Sequence, residues 1–166
     1  MVAGRSFLLD THALFWAIYE PDSLAADTRA ALEDPGNIVY ATLASAQEIA
    51  MKISANKWPE AKDLLLDFER LVVEEAGLTL LAPTAVDYLN MTRLPDVDGH
   101  RDPLDRLIFA MAIARRLVLV SSDNNAANYP VEWVSAGQGS SQTNPCQRTR
   151  IMPVEPLTPI PISETE

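Results

Sequence analysis

The stretch His100-Arg101-Asp102-Pro103-Leu104-Asp105-Arg106 opens an apolar run, 107–117, which leads at once into Val118-Leu119-Val120 and then Asp123. Asp102 before Pro103 has the form of a helix start. Aspartate is a good N-cap, and proline fits the first helical position, where its missing N–H has no partner in any case. Asp105, three residues on, suits the positive end of the helix dipole. The run that follows is apolar on nearly every side, which predicts a helix buried against something. Val118-Leu119-Val120 predicts a strand, again too apolar to alternate. Two acids and two arginines at the mouth of a buried helix are either a helix start or a site.

Working outward, the same grammar repeats. Residues 6–9 read as a short buried strand ended by Asp10-Thr11-His12, and 13–19 as a helix. Pro21-Asp22-Ser23 breaks that helix and caps a second, through about 32. Asp34-Pro35-Gly36-Asn37 is a turn, and 38–40 a second strand. Residues 44–56 form a helix with Ala46, Ile49, Ala50 and Ile53 on one face. Pro59 starts a single helix to about 76, with Gly77 past its end. A third strand at 78–81, a short helix over 83–91, a loop over 94–99 and a last strand around 131–134 complete the pattern. Short apolar strands alternating with helices predict an α/β fold whose central parallel sheet is covered on both faces. After residue 135 the composition changes. Gly137 to Gln142 has little to bury, and Pro145, Pro153, Pro156, Pro159 and Pro161 oppose regular helix or central strand, so 136–166 reads as a tail outside a domain of residues 1–135.

The totals narrow the function. The chain of 166 residues is long enough for one domain with a real core. No run approaches the ~18–20 apolar residues of a membrane span. Phe7-Leu8-Leu9 is cut off by Asp10, unlike a secretory signal, and a lone Cys146 forms no internal disulfide, so a reducing cytoplasmic setting is expected. The net charge of −10 disfavours a protein that simply coats nucleic acid. It leaves open an enzyme whose acids hold metal ions that meet the phosphates.

Four acids fall where such a site belongs. Ligands of open parallel sheets bind beyond the carboxyl ends of the strands. Asp10 follows the first strand, Asp123 the fourth, Asp105 sits in the first turn of the helix entering that fourth strand, and Glu48 lies on the helix after the second. Each also has a plain explanation. Asp10 can cap a helix, Asp102 and Asp105 can serve their own helix start, and Asp123-Asn124-Asn125 can be a turn. Glu48 lies nearly opposite the apolar stripe of its helix, where it and Lys52 would form an exposed pair worth ~0.3–0.5 kcal/mol; alternatively it lines a crevice among Ala44, Met51 and Ala55. Taken together, clustered carboxylates repel unless a cation sits between them, and a hard divalent ion with oxygen ligands does that.

Leu8-Leu9-Asp10-Thr11-His12-Ala13-Leu14-Phe15-Trp16, Ser45 through Lys52, His100 through Ile108 and Val120-Ser121-Ser122-Asp123 resemble, in this order, the motifs of PIN-domain ribonucleases, and most of all VapC-type toxins of toxin–antitoxin pairs. The resemblance runs from about residue 7 to 134. It implies a three-layer α/β/α domain and an endoribonuclease dependent on Mg2+ or Mn2+. Asp10, Glu48, Asp105 and Asp123 take the place of the family's catalytic acids, with Asp10, Asp105 and Asp123 toward the metal. Ser121 takes that of a hydroxyl that holds the last acid or a water; Asp102, Thr11 and Arg106 are supporting positions. The resemblance also implies an RNA substrate, a cognate antitoxin protein and a homodimer. The tail and the strong negative charge depart from the family, although Arg93, Arg101, Arg106, Arg115 and Arg116 lie near the site in sequence.

Two other readings compete. A non-catalytic PIN-like binding module would share the fold but is expected to lack one of the four acids. A metal-dependent phosphatase of the haloacid-dehalogenase type also has an Asp after its first strand, but needs a second two residues later, where this chain has His12. A Ser or Cys hydrolase has little support, with only His12 and His100 as bases and Cys146 in the tail.

Overall fold

The computed structural model describes residues 4–99 and 102–137. His100 and Arg101 of the opening stretch, and 138–166 of the expected tail, lie outside the described residues. One sheet of five parallel strands has the order β3-β2-β1-β4-β5, where β1 is Ser6–Leu9, β2 Ile38–Thr42, β3 Thr79–Leu81, β4 Val118–Ser121 and β5 Trp133–Ser135. Leu8 of β1 pairs with Tyr40 on one side and Leu119 on the other. The chain winds from β1 out to β3, then returns to place β4 beside β1. That reversal of winding opens a crevice beyond the strand ends, and Asp10 and Asp123 leave the sheet there.

Side chains alternate across a strand, and both faces of this sheet are apolar. Phe7, Leu9, Val118 and Val120 pack on one side with Leu14 of α1 (Thr11–Tyr19), Ile49 of α3 (Leu43–Ser54) and Leu64 of α4 (Lys62–Leu66). Leu8 and Leu119 point the other way, into Leu107, Ile108 and Met111 of α6 (Pro103–Arg115). A short α2 (Ala26–Glu33) and α5 (Ala85–Thr92) complete the helices. The domain is therefore the expected three-layer α/β/α fold. α6 buries seven side chains, Leu104 and all of 107–112, which explains why its apolar run shows no polar face.

Asp87 joins α5 to α6. It completes a capping box with Thr84 and takes a two-pronged contact from Arg115, with Nη2 at 2.8 Å from Oδ2. Burial pushes its carboxyl upward, but hydrogen bonds from Arg115 and Thr84 prevail and hold it below the usual carboxylate value.

The single helix expected over 59–76 is instead a 3-10 turn (Pro59–Ala61), α4, and a π-helical segment (Arg70–Glu75). Its buried residues are Ala61, Leu64, Phe68 and Val72. Later spacings of four exceed the 3.6 of an α-helix, and the wider turn, with Ala76 N–H donating to Leu71 O at 3.0 Å, keeps that stripe on the core. The expected tail boundary also moves. Ala136 is fully buried, its N–H donates to Ser121 O at 2.9 Å, and Gly137 bridges Leu24. Both residues extend the β5 edge of the fold, whose backbone bonding does not depend on side-chain size.

Candidate active site at the ends of β1 and β4

Asp10 is fixed by the turn that ends β1. One carboxylate oxygen caps α1, accepting from Ala13 N–H at 2.7 Å; the other accepts from Ser122 N–H at 3.1 Å, across from β4. Ser121 adds a hydroxyl hydrogen bond. Only 6% of Asp10 is exposed, and burial pushes its carboxyl up despite these donors. Ser121, expected to hold the last acid or a water, gives its hydroxyl to Asp10 and accepts the Asp123 N–H at 3.0 Å. Asp123 caps the following 3-10 turn through Asn125 N–H at 2.9 Å.

Glu48 departs most from the exposed reading. It is 3% exposed. The Thr11 hydroxyl donates to Glu48 Oε2 and lies 3.2 Å from Ser45 Oγ, and Lys52 Nζ stands 2.5 Å from Glu48 Oε1. The i,i+4 pair exists, but its acid end is inside, because Thr11, Ser45 and the small residues of α3 leave a polar crevice under it. A buried carboxylate with a cation and a hydroxyl partner is satisfied electrostatically.

Asp105 receives the sum of these charges. Burial, then the negative charges of Glu48, Asp102 and Asp10, push its carboxyl up to about 7, with Lys52 opposing. The structure thus brings Asp10, Glu48 and Asp105 into one electrostatic neighbourhood. Asp102 caps α6 through Leu104 N–H at 2.9 Å and contributes charge from the rim. Arg106 does not turn toward the acids. Its guanidinium holds the loop before α6, donating to Pro95 O at 3.0 Å, Leu94 O at 3.2 Å and the Tyr129 hydroxyl at 3.1 Å. Its place one turn into α6 aims it at that loop.

Sequence reading missed Ser45 and the aromatic group beside the acids. His12 stacks on Trp58 with centroids 4.8 Å apart, and Lys52 Nζ lies 5.4 Å from the Trp58 ring. Only the pairing of polar Thr11 with an otherwise small-residue helix hinted at the buried hydroxyls.

The donor set suits a hard divalent cation: carboxylate oxygens, mutually repelling and partly desolvated. Among the described residues no three His, Cys, Asp or Glu side chains already form a ligand group. Coordination therefore requires side-chain movement.

The model of the PIN domain family matches residues 7–132. Among solved structures, the chain is similar to VapBC2 from Rickettsia felis bound to a DNA fragment from its promoter, with 18% identity, a TM-score of 0.55, and coverage of 79% of this chain and 98% of that one. It is also similar to DNA-bound VapBC from Salmonella typhimurium, with 19% identity, a TM-score of 0.51 and the same two coverages. No curated protein matches by sequence. At these identities the structural likeness is one of fold. A parallel sheet of this order, acids at its reversal point and a family model spanning most of the chain lead to one assignment: the chain belongs to the PIN domain family.

Proposed function

We propose that this protein is a Mg2+- or Mn2+-dependent endoribonuclease acting as the toxin of a toxin–antitoxin pair. The observation that carries the reading is the meeting of two buried carboxylates, Asp10 and Glu48, with Asp105 at the open end of a parallel sheet. A structural ion pair would account for Glu48 and Lys52; it would not account for a third acid beside them. Family membership supports nuclease chemistry there.

In this reading Asp10, Asp105 and Asp123 would hold the metal and Glu48 would serve the attacking water. A divalent ion so held would lower the pKa of a bound water and offset charge developing on a phosphate. The chain's own contribution is positioning. Ala13, Ser121 and Ser122 prevent Asp10 from rotating, and Thr11 steers Glu48. Lys52 gives the buried Glu48 a cationic partner. RNA is the substrate class, the cytoplasm its setting, and a co-expressed antitoxin the partner that covers the groove; a homodimer is the expected assembly.

Expression in a bacterial host tests this. Wild type should arrest growth, Asp10→Asn should not, and the protein encoded beside the gene should restore growth. Equal tolerance of wild type and Asp10→Asn at equal expression would favour a non-catalytic binding module.

A further inference from the structure

Beside the acids lies an open cavity of about 500 Å³, bounded by Trp16, Asp22, Ser122, Asn124, Ser135 and Gly137. Its size falls in the ~300–1,000 Å³ range of small-molecule sites. It is continuous with the acidic site through shared backbone: Ser122 both lines it and donates its N–H to Asp10, and Asn124 follows Asp123. We propose that this cavity is a nucleobase subsite, which stacks one unpaired base of the RNA on Trp16 and so sets the adjoining phosphate over the carboxylates.

The lining argues for a base and against a phosphate. Among the described residues that line it there is no cation to hold a phosphate; the charged one is Asp22, which is already paired with Arg29 at 2.8 Å. Ser122, Asn124 and Ser135 offer neutral donors and acceptors, and the Trp16 indole lines the same cavity. Aromatic stacking with polar edge contacts is how proteins take single-stranded bases. A chain of net charge −10 has little general attraction for RNA, so a local stacking contact has more to contribute. Gly137 matters because a Cβ there would meet the Trp16 ring at 3.4 and 3.5 Å, in ordinary contact, so side chains beyond Cβ would fill the cavity.

The proposal rests on the reading of the neighbouring acids as an RNA-cleaving site, and one experiment separates the two. Binding of a mixed-sequence single-stranded RNA hexamer and of an abasic hexamer is measured in Mg2+, with Asp105→Asn present throughout to prevent cleavage. Adding Trp16→Ala should weaken the RNA hexamer about ten-fold or more and leave the abasic hexamer unchanged; Trp16→Phe should recover part of the loss. Gly137→Val, which removes no contact, should weaken the RNA hexamer alone and so covers the case in which Trp16→Ala fails to fold. Equal loss for both hexamers, or no loss from either Trp16→Ala or Gly137→Val, overturns the subsite while leaving the nuclease reading standing. If wild type fails to cleave RNA at all, the nuclease reading falls, and the subsite with it.

Discussion

Asp102 and Asp105 are three residues apart on α6 and meet different surroundings. Asp102 spends its carboxylate on the Leu104 N–H, whereas Asp105 faces Glu48 and Asp10. Their substitutions should therefore cross. Asp102→Ala should lower stability by about 0.5–2 kcal/mol, the usual cost of a lost cap, and keep part of the activity. Asp105→Asn should abolish activity and raise the metal-free melting temperature by relieving repulsion. Melting and RNA cleavage measured on both variants check the pair; a destabilised Asp105→Asn would place that carboxylate in a supporting hydrogen bond instead. Lys52→Ala leaves Glu48 without its cation and should cost about 1–3 kcal/mol in metal-free buffer, a loss that added Mn2+ should largely reverse. That recovery, read by melting with and without Mn2+, is absent if no divalent cation settles near Glu48. Asp10 and Asp105 were legible in the sequence because a strand end and a helix start have local signals. The burial of Glu48 was not, since wheel position says nothing of Thr11 and Ser45 arriving from elsewhere. Arg106, expected as a supporting position, clamps the loop before α6 through Pro95 and Tyr129, a reach that its sequence neighbours do not announce.

α5 and α6 are held to one another through Asp87 and Arg115. The Asp87 carboxyl lies below its ordinary value of 3.8, so the unfolded chain takes up its proton first as pH falls. The pair's stabilisation is complete above that ordinary value and is lost as pH drops through the lower folded one. Asp87→Asn should thus cost about 2–4 kcal/mol near pH 7, and the gap from wild type should close below about pH 4. Denaturant midpoints across that range measure it; a gap that stays constant would show that the pair contributes through packing, not charge. Element types were readable from period and caps, as in α6, whose Asp-Pro start and apolar run matched Pro103–Arg115. The 59–76 region was not, because a π-helical register answers to the shape of the core and leaves no local signal.

The sheet order followed from strand content only in outline. Apolar strands without alternation announce a covered parallel sheet, but the placing of β4 beside β1, which joins Asp10 to Ser121 and Ser122, depends on how the helices divide between the two faces. On the proposed nuclease reading, a molecule carrying a net −10 would take RNA through local contacts and a bound cation, not through general charge. Cleavage of total RNA by wild type and Asp105→Asn, each in Mn2+ and in EDTA, decides the matter. The carboxylate site predicts cleavage by wild type in Mn2+ alone; cleavage by wild type in EDTA, or full cleavage by Asp105→Asn in Mn2+, would contradict it.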